Sequence, residues 1–211
     1  MSKNIDKISR LTLAEMTYKE VQRYLELYTQ VVLPLGSTEE HSVALPLGAD
    51  TLMAIELGNS LAQGLGWLNA PPVAVGYSGP PQPFLRFPGT ISLRKSTLAA
   101  VIFDYVNSLY GAGFRDVYFV SGHGGNTRVI RTVAPKLARV LPNLKLYYHR
   151  WWKLPCLRPF TRELGDEAVN HAGLLEASLM LYLCPTLVHQ KAFSHEHTGT
   201  RTVSGIVNGD Q

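Results

Sequence analysis

The chain has 211 residues, 45% of them hydrophobic, which is enough to bury a substantial core and fits a single domain over residues 1–211 better than two. Its 20 basic and 16 acidic residues give a formal net charge of +4. They are scattered, without the clustered Lys/Arg run that nucleic-acid binding favours, so no nucleic-acid partner is expected. Cys156 and Cys184 lie far apart with no CxxC spacing. Neither a disulfide framework nor a thiolate zinc site is indicated, and a reduced cytoplasmic setting fits. The N-terminal MSKNIDKISR has basic residues with no apolar core behind it, and no stretch approaches a membrane helix. A chain that is neither secreted nor membrane-spanning is expected.

Apolar and polar residues alternate at helical spacing from Tyr18 to Tyr28, and the apolar run Val31 to Leu35 predicts a buried strand. Gly36 and Ser37 break that pattern, and Asp50 is placed as the N-cap of a helix over Thr51 to Leu65. A short strand is predicted at Val73 to Val75. Between Gly76 and Gly89, the prolines Pro80, Pro81, Pro83 and Pro88 exclude regular helix and leave a structured surface loop of the kind that borders binding sites. Tyr77, Phe84 and Phe87 in this loop are available to pack or to bind. A third helix over Ser96 to Tyr110 leads to a strand at Val117 to Val120 that ends in the sequence SGHGGN. A fourth helix, a strand at Leu144 to Tyr148 and a helix at Ala172 to Leu183 complete the alternation. The pattern predicts an α/β fold in three layers, α/β/α, with a mostly parallel central sheet and ligands bound outside the carboxyl ends of its strands.

Glu39-Glu40-His41 places two acids and an imidazole just beyond a buried strand, where side-chain alternation lets Glu39 and His41 face the same way. Carboxylate and imidazole together suit zinc or manganese, and a carboxylate such as Asp50 can bridge two ions. Taken singly, each residue has an ordinary alternative: solvated loop acids, a hydrogen-bonded loop histidine, a helix cap. His123 stands between glycines, which let backbone approach a ligand closely and serve a turn equally well.

LPLGSTEEHSVALPLGAD resembles the opening motif of the creatininase family. SGHGGN resembles its second motif, FPGTISL at Phe87 to Leu93 a third and HAGLLEAS at His171 to Ser178 a fourth, in the expected order over about residues 31–210. The resemblance implies that Glu39, His41, Asp50 and His123 occupy metal-ligand positions, that Asp50 bridges, and that Glu176 is a fifth ligand. On its own Glu176 reads as a solvent-facing helix acid, but Leu174, Leu175 and Leu179 make that stretch largely buried, where an unpaired carboxylate is costly. The resemblance further implies a layered α/β/α domain, two divalent ions (zinc and/or manganese) and a homohexamer. The expected reaction is hydrolysis of a C–N bond in a small cyclic amide, formamide or peptide-like substrate by a metal-activated water.

His171, at the start of the predicted helix that carries Glu176, is the candidate for proton delivery to the leaving nitrogen. Trp151 and Trp152 follow a strand at the same sheet edge and suit either a pocket wall or the core. His149, His189, His195 and His197 are set aside. Several positions depart from the family pattern: Glu40 stands for the usual glutamine, Ser42 for a glycine, Ala44 for a histidine, Leu174 for an acid and Ala177 for a threonine, with every ligand position retained. Creatininases proper carry a glutamate two residues after the second-motif histidine; Gly125 stands there, so creatinine itself is not the expected substrate. The sequence stops at Gln211, shortly after SGIVNGD, where relatives continue through a further helix. Ala44, Leu174 and this short end motivate an alternative from another class, a catalytically silent binding or assembly module with the same fold.

Overall fold

The computed structural model describes residues 11–80, 84–165 and 169–193, so His195, His197 and the SGIVNGD segment lie outside the described residues. Helix α1 (Tyr18–Leu25) begins at a capping box in which Thr17 and Glu20 exchange side-chain and backbone hydrogen bonds. It ends three residues before the expected Tyr28, where the chain turns into the sheet and the buried Tyr24 hydroxyl donates to the Gln30 carbonyl at 2.7 Å. Four strands form one parallel sheet in the order β2-β1-β3-β4: β1 (Gln30–Leu35), β2 (Leu68–Asn69), β3 (Asp116–Ser121) and β4 (Lys145–Arg150).

Alternation along the two central strands divides their side chains between two faces. Val31, Leu33, Leu35, Val117 and Phe119 pack against Leu98, Ile102 and Val106 of α3 (Lys95–Ala112) and Val129, Val133 and Leu137 of α4 (Asn126–Val140). Val32 and Val120 point the other way, against Leu57, Leu61 and Ala62 of α2 (Ala49–Leu65). Apolar residues on both faces are what made β1 and β3 read as continuous hydrophobic runs. Beyond α2, a further cluster joins Ala49 and Met53 to Trp151 and to Ala177 and Met180 of α6 (Leu174–Leu183). The three-layer α/β/α expectation holds, with helices on both faces of the sheet. No helix among the described residues is long and apolar enough to cross a membrane.

Three further local expectations need correction. The edge strand β2 lies at Leu68–Asn69, and the expected strand at Val73 to Val75 is reduced to a single parallel bridge between Val73 and Leu35. Pro71 and Pro72 have no N–H, so the ladder stops after Ala70 donates to Val32 and resumes only when Val73 donates to Pro34. Asp50 is not the N-cap of α2, which starts two residues earlier with Gly48 as its cap; Asp50 sits in the first turn. Helix α6 starts at Leu174, because Ala172 takes a left-handed φ of 51° that a helix interior does not accept. His171 therefore lies in the turn before the helix. Helix α5 (Arg158–Leu164) has no counterpart among the expected elements.

Candidate metal centre

Leu35 and Ser121 are paired at the ends of β1 and β3, so the loops that follow leave the sheet side by side. Gly122 donates its N–H to the Leu35 carbonyl. A Cβ on Gly122 would stand 2.0 Å from the carbonyl oxygen of Asp50, so only glycine lets the start of α2 press against the end of β3. The effect is to bring Glu39, His41 and Asp50 from the first loop to His123 from the second, and all four side chains are buried.

Each histidine is oriented by one ring nitrogen and presents the other to carboxylates. His41 Nδ1 donates to the Glu39 carbonyl at 3.0 Å, which leaves Nε2 3.2 Å from Asp50 Oδ1 and 3.9 Å from Glu176 Oε2. His123 Nε2 donates to the Tyr77 carbonyl at 2.8 Å, which leaves Nδ1 2.9 Å from Asp50 Oδ2 and 3.1 Å from Glu39 Oε1. Glu176 is aimed from α6 by the Ala172 N–H, which donates to Oε2 at 2.7 Å. Two triads result, Glu39/Asp50/His123 and His41/Asp50/Glu176, and in each the donor atoms lie within 4.8 Å of one another. Asp50 belongs to both, with one carboxylate oxygen toward each histidine.

This arrangement fits a pair of divalent cations. Both oxygens of Glu39 and Oδ2 of Asp50 are buried without a hydrogen-bond partner, and Oε1 and Oδ2 have only the ion-pair approach of His123 Nδ1 and, at Oε1, that of His171 Nδ1. Buried carboxylate oxygens without donors are costly unless a cation meets them. The set of three carboxylates and two imidazoles, with no thiolate, suits zinc or manganese. Backbone carbonyls that fix the far nitrogen of each ring are the usual support of a metal-ligating histidine.

The same electric field governs the protons of the centre. Burial opposes a charge on His41, but Asp50 and then Glu176 outweigh it and raise the ring to about 10. Burial likewise opposes charge on His123, and the Asp50 and Glu39 carboxylates overcome it to hold the ring well above the usual histidine value. Asp50 is kept far below the ordinary carboxylate range: burial acts against its anion, and the two histidines prevail. Burial pushes Glu176 up to about 7 despite the attraction of His41. Both rings are thereby held toward their protonated forms, and a divalent ion bound here would have to displace those protons. In ion-free protein the His41 contribution to stability is fully present below pH 6.5 and is lost as pH rises through about 10. Affinity for an ion bound here would run the opposite way and strengthen over that interval. Calorimetric titration at neutral pH in two buffers of different ionisation enthalpy is expected to show proton release from both rings; release of no protons would contradict the assignment.

A cavity of about 250 Å³ opens on the centre, lined by Glu39, Asp50, His123, His171, Phe84 and Trp152 among others. His171 stands at its wall with Nε2 2.5 Å from the Glu40 carbonyl and Nδ1 3.4 Å from Glu39 Oε1. Its ring lies between those of His41 and Phe84, at centroid distances of 4.5 and 4.1 Å. His171 also forms a third close group with Glu39 and His41. Of the two tryptophans, Trp152 lines the cavity while Trp151 packs in the α2–α6 core. Glu40 belongs to neither triad; its carboxylate lies 3.7 Å from His171 Nε2. Sequence reasoning did not single out the Tyr77 carbonyl or Asn170, which also borders the cavity. A backbone acceptor has no residue signature, and an asparagine beside a histidine is commonplace.

Fold and centre define a class, α/β/α proteins with paired carboxylate–histidine triads at the carboxyl ends of a parallel sheet. The chain belongs to the creatininase family: its residues 14–210 match that family, described as creatinine amidohydrolase. It is 32% identical over 177 residues to the mycofactocin precursor peptide peptidase of Mycobacterium ulcerans (strain Agy99), covering 76% of this chain and 61% of that protein. To the 3-dehydro-scyllo-inosose hydrolase of Thermotoga maritima it is 27% identical over 180 residues, covering 83% and 57%. The chain thus spans about three fifths of the length of these curated relatives. Among solved structures, that of creatinine amidohydrolase (creatininase) superposes with a TM-score of 0.80 at 26% identity, over 87% of this chain and 76% of that one. A manganese creatininase and a Zn-Zn type of a mutant creatininase give TM-scores of 0.76 and 0.77.

Proposed function

We propose that this chain is a two-metal amidohydrolase that cleaves a C–N bond of a small cyclic amide, a formamide or a peptide-like substrate. The observation that carries the reading is Asp50, whose two oxygens face two separate histidine-bearing triads at the base of one cavity, which Asp50 itself lines. Similarity to proteins named as a peptidase and a creatinine amidohydrolase supports cleavage of a C–N bond, and similarity to an inosose hydrolase supports hydrolysis more broadly. Similarity to manganese and Zn-Zn creatininase structures supports the choice of ions.

In this reading Glu39, Asp50 and His123 hold one ion and His41, Asp50 and Glu176 the other. The chemistry available from such a pair is activation of water at neutral pH and Lewis-acid polarisation of the substrate carbonyl. Hydrolysis places the water oxygen on the carbonyl carbon and a proton on the leaving nitrogen. His171, with Nε2 held by the Glu40 carbonyl and Nδ1 toward the centre, is the group placed to pass that proton. Trp152 and Phe84 give the cavity an apolar wall, and a volume of about 250 Å³ suits a small amide or the end of a peptide. A homo-oligomer belongs to the same proposal on family resemblance alone, and a cytoplasmic setting on the two unpaired cysteines.

The two substitutions that motivate a silent module lie off the cavity. Ala44 is buried and its carbonyl accepts from the His189 N–H, while Leu174 is half exposed at the start of α6. Metal analysis of the purified protein, combined with turnover of a panel of cyclic ureides, formamides and short peptides, tests the reading. Near-stoichiometric zinc or manganese with hydrolysis of at least one class is expected. Full occupancy without turnover of any would favour the silent module, and absence of bound divalent metal would end the proposal.

A further inference from the structure

We infer that the candidate ion position built on His123, unlike the one built on His41, depends on Gly125 and the Tyr77 carbonyl, neither of which is among its ligands. This rests on the ligand assignment proposed above. His41 is oriented by the carbonyl of Glu39, two residues away in its own loop. His123 is oriented by Tyr77, 46 residues away on the loop that follows β2. The support of one ring is built into its own loop; that of the other is borrowed from a separate segment.

That segment is tied from several sides. Leu93 donates its N–H to the Gly76 carbonyl at 2.9 Å and Ser78 donates its N–H to Ser92 Oγ at 2.9 Å. The Tyr77 hydroxyl donates to the Pro80 carbonyl at 2.6 Å, and Lys95 Nζ lies 4.6 Å from the centre of the Tyr77 ring. Tyr77 and Ser78 also line the cavity, so the loop that orients His123 is one that a bound substrate would touch.

Gly125 is the residue that leaves room for this support. A Cβ there would stand 2.1 Å from the Tyr77 carbonyl oxygen and 2.4 Å from His123 Nε2, inside the hydrogen bond that joins them. Its φ of −61° and ψ of −30° are open to any residue, so the effect of a methyl group is steric and confined to that bond. Gly124, next in the same loop, provides the contrast: its Cβ would meet only Trp152, at 4.0 Å.

Cobalt(II) titration of ion-free protein, followed by visible absorption and equilibrium dialysis, tests the inference. Wild type is expected to take up two ions. Gly125→Ala is expected to bind one of them ~10- to 100-fold more weakly, the scale for loss of a supporting hydrogen bond to a ligating histidine, and to keep the other. Gly124→Ala should match wild type in both. Ser92→Ala, which releases the Ser78 N–H without adding bulk to the centre, should weaken the same ion by a smaller factor and serves if Gly125→Ala folds poorly. Two unchanged affinities in Gly125→Ala, or equal weakening of both, would overturn the inference while the ligand assignment stands. A wild-type protein that takes up no cobalt would overturn the assignment and the inference together.

Discussion

Asp50→Asn is expected to empty both ion positions and to lower amide turnover by ~10³-fold or more, the scale of several kcal/mol of lost electrostatic stabilisation. The substitution keeps the shape of the side chain and removes the one charge that both triads share. One of its two terminal atoms becomes an NH₂ donor and so can serve at most one triad. Glu39→Gln and Glu176→Gln each alter a single triad and are expected to leave one ion bound. In ion-free protein Asp50→Asn also removes the principal partner of His41 and of His123, whose ring basicities then fall. Metal content by elemental analysis, kcat/KM on the best substrate and a thermal melt in chelator separate loss of the centre from loss of the fold. Retention of both ions and of turnover by Asp50→Asn would refute a shared bridging role.

The architecture was legible because the two central strands are apolar on both faces. Val31 to Leu35 and Val117 to Val120 stand out in the sequence, and the structure extends them only to Gln30–Leu35 and Asp116–Ser121. The edge was less legible: two residues of β2 carry no periodicity, and Pro71-Pro72 split the ladder between them and Val73. Helix α5 has Pro159 in its first turn and follows Pro155, and proline in a short polar stretch reads as loop. In the centre, Glu39 and His41 were visible as a pair of alternating residues, whereas Asp50 read equally as a helix cap and as a carboxylate able to bridge, and the family pattern chose between the two. Glu176 lies more than a hundred residues from its neighbours in the triad and reaches them through packing of α6 on α2, which no local pattern encodes. The Tyr77 carbonyl was out of reach for a simpler reason: every residue offers the same backbone group, so only coordinates single it out.

His171→Gln is expected to lower kcat by ~10²- to 10⁴-fold, the usual scale of general acid–base assistance, while both ions stay bound. Glutamine retains an N–H for the Glu40 carbonyl, which anchors His171 Nε2, and lacks a group able to exchange a proton near neutral pH. The deficit should depend on the substrate. An amide whose leaving nitrogen is a good leaving group needs little protonation, so an activated anilide should be slowed far less than an alkyl amide, and KM should move little for either. A residue that only braces Phe84 and His41 by ring contact would slow the two substrates alike. The close group that His171 forms with Glu39 and His41 gives a second outcome with its own meaning. If His171→Gln loses an ion, the ring is a ligand, and the leaving nitrogen must take its proton from elsewhere in the cavity. Metal content and leaving-group sensitivity, measured on the same variant, therefore decide whether His171 carries a proton, holds a cation, or only fills the wall.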